Sequence, residues 1–291
     1  MIRLLAALLL LLLLTGAARA AELRVATWNL EWLTARRAGD PALPQDVRPK
    51  RPEDIDALRR YASTLDADVI AFQEVDGPDM AAQVFPAERY AVVTTADDVV
   101  QRVGFAVRRG IPMLHNPDLA GLDVLPGAAH RLRSGADITL DLPGARLRLL
   151  AVHLKSGCNR DRLSGVRGTS LSRTCETLRQ QIAPLQGWIA QRREEGVPFV
   201  LLGDFNRQMD GPDELLAALA RAAPLARATE GRASPCWGGS SFIDHILAGG
   251  AARSWMVPDS LRVMVYRETG ETAKEQLSDH CPVSVRFRLP D

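Results

Sequence analysis

The sequence predicts one α/β domain in which helices cover the faces of a β-sheet. Two short runs, Val69-Ile70-Ala71-Phe72 and Phe199-Val200-Leu201-Leu202, are apolar without alternation, the mark of strands buried on both faces. Segments of helical spacing lie between such runs. No internal repeat or flexible linker divides the chain, so residues 21–291 read as a single domain.

The elements follow in order. Arg3, the unbroken apolar run Leu4–Leu14 and the small-residue site Ala18-Arg19-Ala20 have the three-part layout of a secretory signal peptide, with cleavage expected after Ala20. The run is short against the roughly 20 residues of a spanning helix, and no Cys follows it to carry a lipid. Strands are expected at 23–28 and 69–72. Between them, 34–53 is a Pro- and Arg-rich loop, and Ile55, Leu58, Ala62 and Leu65 give a helix over 55–65. Further strands are expected at 90–95, 102–108, 136–142 and 146–154. Residues 157–174 form a polar loop, and 176–195 one helix with Trp188 in its core face. The strand at 199–202, a helix at 213–221 and strands at 242–248, 262–266 and 282–288 complete the chain. His115 and His130 read as ordinary loop residues.

Hydrophobic residues make up 46% and charged residues 24% of the 291, as in a folded globular protein, which excludes general disorder. Removal of residues 1–20 takes away Arg3 and Arg19 and no acid, so the formal charge falls from +1 to −1. A near-neutral chain gives no global electrostatic case for nucleic acid, although it leaves room for a local basic patch. The four cysteines allow three pairings. Export permits disulfides, and we favour Cys158–Cys175, closing the polar loop, and Cys236–Cys281, joining two neighbouring segments. No paired Cys/His spacing points to zinc.

The polar residues fall where the apolar strands end. Strand 23–28 runs into Asn29, 69–72 into Glu74, 147–152 into His153 and 199–202 into Asp204 and Asn206. Asp244 lies inside Phe-Ile-Asp-His-Ile, and Asp279-His280 precedes the last strand. Polar residues at strand ends face the crevice where α/β sheets place ligands. Each has an ordinary reading as a turn, cap or strand residue. Asp244 is the hardest to read that way, because an acid among core residues is costly unless paired or liganding. His245 points to the opposite face by strand alternation. Together the amides, acids and histidines suit a hard divalent cation, Mg²⁺, Mn²⁺ or Ca²⁺, with a general base acting on water.

Thr-Trp-Asn-Leu-Glu, Ala-Phe-Gln-Glu-Val, Val-His-Leu-Lys-Ser, Leu-Gly-Asp-Phe-Asn, Phe-Ile-Asp-His-Ile and Leu-Ser-Asp-His-Cys-Pro-Val occur in that order. The set resembles the endonuclease/exonuclease/phosphatase superfamily, with its deoxyribonuclease I-like fold, from about residue 25 to 285. The resemblance implies a four-layer sandwich of two packed mixed β-sheets flanked by helices. It implies that Glu74 is the principal metal ligand, with Asn29 and Asp279 assisting. Asn206 would hold the phosphate and Asp204 would orient or activate water. His280 would be the general base, oriented by Asp244, and His153 would donate to the phosphoryl or leaving oxygen.

The expected function is an exported phosphodiesterase, nuclease first, acting as a monomer without membrane insertion. A phosphomonoesterase, or a phosphodiesterase acting on phospholipid or sphingomyelin, is the alternative on the same machinery. A catalytically inactive binding protein is the alternative of another class. Lys155 and the loop arginines Arg160, Arg162, Arg167 and Arg173 are the candidate substrate contacts, for they would track a nucleic-acid backbone. The other reading of those arginines is a solvated, disulfide-closed loop. Glu31 follows Asn29 closely and has no assigned role.

Overall fold

The computed structural model describes residues 21–128, 131–163 and 170–290. The leader expected over 1–20, His130 and Arg167 lie outside the described residues. In the first half of the chain come β1 (Glu22–Leu33), α1 (Pro52–Leu65), β2 (Val69–Val75), α2 (Pro78–Val84), β3 (Tyr90–Thr94), β4 (Arg102–Arg108), β5 (Met113–His115), β6 (Ala136–Leu142) and β7 (Ala145–His153). Then come α3 (Ser170–Gln180), α4 (Ile182–Glu194), β8 (Phe199–Asp204), α5 (Glu214–Ala222), β9 (Leu225–Arg227) and β10 (Asp244–Gly249). The chain closes with α6 (Ala252–Trp255), β11 (Arg262–Val263), α7 (Glu271–Gln276) and β12 (Val283–Arg288).

Two six-stranded mixed sheets form, in the orders β11-β12-β1-β2-β4-β3 and β5-β6-β7-β8-β10-β9. At the centre of each lies a parallel pair, β1 with β2 and β7 with β8. These pairs hold the unalternating apolar runs, as strands covered on both faces should. Strand periodicity sorts their side chains into layers. Val25, Ala71, Leu149, Ala151, Val200, Leu202 and Ile246 meet between the sheets. Ala26, Ile70 and Phe72 face outward under Leu58 and Ala62 of α1. Leu150, Leu201 and Leu247 face outward under Leu185 and Ile189 of α4 and Leu215 and Leu219 of α5. The result is the helix–sheet–sheet–helix sandwich that the resemblance implied.

Several boundaries differ from the sequence reading. The helix expected over 176–195 is two helices, broken at Gln181. Pro184 has no N–H to bond back, and its ring is tolerated in the first turn of a new helix rather than inside an old one. The loop expected to run to 174 becomes helical at Ser170. β1 continues to Leu33, well past 28, and the strand expected at 262–266 shrinks to Arg262–Val263. His115 is not a loop residue: it ends edge strand β5, with Nε2 3.1 Å from Asp118 Oδ1. Trp188 is core as expected, with Nε1 donating to Asp137 Oδ2 at 2.7 Å and its ring edge-on to Phe199.

Candidate active site

Strand alternation carries the core into the site. Counting by twos from Val25, Leu149, Val200 and Ile246, the inter-sheet face ends in Asn29, His153, Asp204 and Asp244. Register then aligns three of them in one row, for His153 pairs with Asp204 across β7–β8 and Asp204 with Asp244 across β8–β10. Gly203 permits this approach, because at its φ of 145° a Cβ would lie 2.0 Å from the Val152 carbonyl oxygen. In the other sheet the register slips between Asn29 and Leu33 and again between Phe72 and Val75. Glu31 (φ 42°), Trp32 (52°) and Glu74 (61°) lie in those slips in the left-handed region, as does Asn206 (51°) at the end of the facing strand. Such strain persists where the surroundings hold it and gathers at functional sites.

Asn29 Nδ2 bridges two carboxylates, donating to Glu74 Oε1 (3.0 Å) and Asp204 Oδ2 (3.1 Å), while its Oδ1 accepts the Glu31 N–H (2.9 Å). His153 Nε2 lies 3.6 Å from Glu74 Oε1 and 3.5 Å from Asp204 Oδ2. Asn206 donates its backbone N–H to Asp204 Oδ1 (2.7 Å) and its Nδ2 to Asp204 Oδ2 (3.0 Å). His280 Nδ1 is 2.8 Å from Asp244 Oδ2, and its Nε2 is 3.7 Å from Asp204 Oδ2. The His280 backbone is anchored as well. Its N–H donates to Ser278 Oγ (3.0 Å), which donates to the Asn29 carbonyl (2.7 Å), and its own carbonyl accepts from Tyr266 (2.8 Å).

Burial pushes the Asp204 carboxyl up to about 7 against the pull of His280, with Asp244 and Glu74 adding to the rise. Burial also lowers His280, but Asp244 and Asp204 outweigh it and hold the imidazole well above the ordinary histidine range. His153 goes the other way, well below that range, through burial and the nearby Arg133 and His280 charges. The two histidines are thus shifted in opposite directions, and Asp204 between them is able to carry a proton near neutral pH.

The structure brings Asn29, Glu74, His153, Asp204, Asn206, Asp244 and His280 together. Asp279 stands at the rim, half-exposed, its Oδ1 3.7 Å from His280 Nε2 and its N–H on Glu31 Oε2. Lys155 is half-buried near His153, and its N–H donates to Gln181 Oε1 at 2.9 Å. Among the described residues the loop arginines do not reach this cluster. Arg160 bonds Gln208, Arg162 is 81% exposed beside Glu214, and Arg173 is exposed on α3. Cys158 bonds Cys175, and Cys236 bonds Cys281. His245 faces away, between Thr229 Oγ1 (2.7 Å) and the Arg207 carbonyl (2.9 Å).

Sequence reasoning missed Arg133, buried against the His153 carbonyl, and Lys50, buried 3.5 Å from Glu31. Burial drives Glu31 up to about 7 despite Lys50, and draws Lys50 down. The only signal for Arg133 was its place two residues before the Gly135 that leads into β6. Lys50 gave none, lying in a Pro- and Arg-rich loop.

Glu74, His153 and Asp204 could converge on one metal ion, and so could Asp204, Asp244 and His280. The donors are chiefly carboxylate oxygens. Around them, among the described residues, no Lys or Arg side chain lies within ion-pair distance of Asp204 or Glu74; only His153 and His280 do. An oxygen-rich, underneutralised cluster fits a hard divalent cation.

The sequence matches the Endonuclease/Exonuclease/phosphatase family over residues 26–280. No curated protein matches it. Among solved structures, D. rerio TDP2 complexed with a single-strand DNA product is 16% identical, covering 92% of this chain and 100% of that one, with a TM-score of 0.60. The 3' phosphatase NExo from Neisseria, bound to a product DNA hairpin, is 17% identical over 92% and 100%, with a TM-score of 0.58. The human Nocturnin catalytic domain with bound sulfate is 15% identical over 91% and 94%, also at 0.58. At these identities the likeness establishes the fold.

Proposed function

Because the chain belongs to the endonuclease/exonuclease/phosphatase family, we propose that it is an exported, divalent-metal-dependent phosphodiesterase, a nuclease in the first instance. One observation carries the reading: Asp204 stands between the Asn29–Glu74 pair of one sheet and the Asp244–His280 pair that joins the two. A dead binding protein would have no need to keep that whole set in contact.

Glu74 would hold Mg²⁺, Mn²⁺ or Ca²⁺, with Asn29 and Asp279 assisting. Bound there, the ion supplies positive charge against the charge that develops on the phosphoryl oxygens. The remaining work belongs to side chains. Asn206 would hold the phosphate through Nδ2, which without substrate donates to Asp204 and to the Leu154 carbonyl (3.2 Å). The Asp204–His280 couple takes the proton from the attacking water, and Asp244 keeps the imidazole aimed by holding Nδ1. His153, neutral and buried, donates from Nε2 toward the leaving oxygen.

DNA product in the TDP2 and NExo structures supports nucleic acid as substrate. The description of NExo as a 3' phosphatase favours phosphomonoester cleavage as the second reading. Two disulfides and the leader-like residues 1–20 support a secreted or periplasmic enzyme. Among the described residues no helix is long and apolar enough to cross a membrane, and the reading is of a monomer. The test is nicking of supercoiled plasmid by the purified protein with Mg²⁺, with EDTA and with a His280→Ala variant. Metal-dependent nicking that the variant loses is the expected result. No nicking would turn the assignment to small phosphodiesters, phosphomonoesters and lipids.

A further inference from the structure

A cavity of about 410 Å³ opens beside the site, its walls including Trp32, Arg36, Asp98, Gln101, Arg131 and Arg133. Two contacts tie it to the machinery, one from each sheet. The Trp32 N–H donates to Glu74 Oε2 (3.2 Å), and Arg133 Nε donates to the His153 carbonyl (3.1 Å). The volume falls in the range of small-molecule sites, about 300–1,000 Å³.

Its arginines are not equivalent. Arg36 is paired with Asp76 at 2.9 Å, and Arg131 with Asp123 at 2.9 Å. Arg133 is 6% exposed, and among the described residues it has no carboxylate partner and one hydrogen bond, to a carbonyl. Glu74, Asp204, Asp97 and Asp123 offset its charge from a distance, but none pairs with it directly, so the guanidinium fork of this cavity-lining residue is left to suit a phosphate. Trp32, half-buried, lines the same cavity, and an indole is a surface on which a planar base stacks.

We propose that this cavity is a nucleotide subsite, with Arg133 binding a phosphate next to the scissile one and Trp32 stacking on its base. The assignment deepens the phosphodiesterase reading and rests on it for the orientation of the substrate. It places specificity in a pocket shared by both sheets, away from the loop arginines that the sequence put forward.

The test measures binding without turnover. The full-length protein in EDTA is titrated calorimetrically with dAMP and, separately, with inorganic phosphate. dAMP should bind more tightly than phosphate. Arg133→Met should weaken both by about tenfold or more, the loss of a charge-assisted pair. Trp32→Leu should bring dAMP to the level of phosphate and leave phosphate unchanged. Unchanged dAMP affinity in Arg133→Met, or equal affinity for the two ligands in the wild type, overturns the subsite. Should Arg133→Met fail to fold, Arg133→Lys, which keeps the charge and loses the fork, is read in its place beside Trp32→Leu. Nucleotide binding that follows this pattern in a protein without phosphoester turnover would support the subsite while sinking the hydrolase reading.

Discussion

His280 Nδ1 lies 2.8 Å from Asp244 Oδ2, and this contact spans the sandwich, for Asp244 opens β10 of one sheet while His280 precedes β12 of the other. The pair fixes which imidazole nitrogen faces Asp204. Asp244→Asn keeps the shape and removes the charge that holds the imidazole. We expect kcat on the best substrate to fall by about 10²- to 10⁴-fold, as general acid–base losses do. Circular dichroism should be unchanged. A kcat within a few-fold of wild type would remove Asp244 from the machinery.

Glu74 presents a carboxylate to Asn29, Trp32 and His153 at a backbone position that only strain makes available. Glu74→Gln preserves the volume and the acceptor oxygen but deletes the charge. Divalent-metal affinity, read by Mn²⁺ titration, should drop by more than the roughly 10- to 100-fold loss typical of an outer-shell change. Wild-type protein stripped with EDTA should recover activity on Mg²⁺ addition and the variant should not. Equal Mn²⁺ affinity in the two proteins would take the ligand role away from Glu74.

How much of this was legible depended on range. Asp244 could be picked out because its neighbours Phe242, Ile243 and Ile246 announced a core strand, and a lone acid there calls for a partner. The partner, His280, lies 36 residues on, and only the order of motifs placed it. Arg133 and Lys50 were opaque for the same reason, since a basic residue looks solvated until the fold closes over it. β5 and β9, at three residues each, are too short to show alternation. The break before Pro184 was missed because Leu178, Ile182, Leu185 and Ile189 keep helical spacing across it.

His245 makes stability depend on pH away from the site. Burial holds it down to about 4 from its ordinary 6.5, and neutral is the form that fits, accepting from Thr229 and donating to the Arg207 carbonyl. The unfolded chain takes up that proton first as pH falls below 6.5. The contribution is therefore full above 6.5 and is lost toward pH 4, a total of about 3 kcal/mol. Urea unfolding at pH 7 and at pH 4.5 should show His245→Gln less sensitive to acid than wild type. Parallel curves for the two proteins would assign the acid sensitivity elsewhere.

The disulfides should differ in what they do for activity. Cys158–Cys175 spans 17 residues and Cys236–Cys281 spans 45, so loop closure alone makes them worth about 3 and about 4 kcal/mol. Their positions separate them further. Cys281 adjoins His280, and next to Cys236 the Trp237 indole donates to the Ser278 carbonyl (3.1 Å) and packs on Tyr266, which holds the His280 carbonyl. Breaking this bond releases both ends of the segment that aims the imidazole. The double variant Cys236→Ala/Cys281→Ala should lose both melting temperature and kcat at temperatures where it remains folded. Cys158→Ala/Cys175→Ala should lose mainly melting temperature. A kcat equally preserved in both would mean that Tyr266 and Ser278 suffice to hold His280.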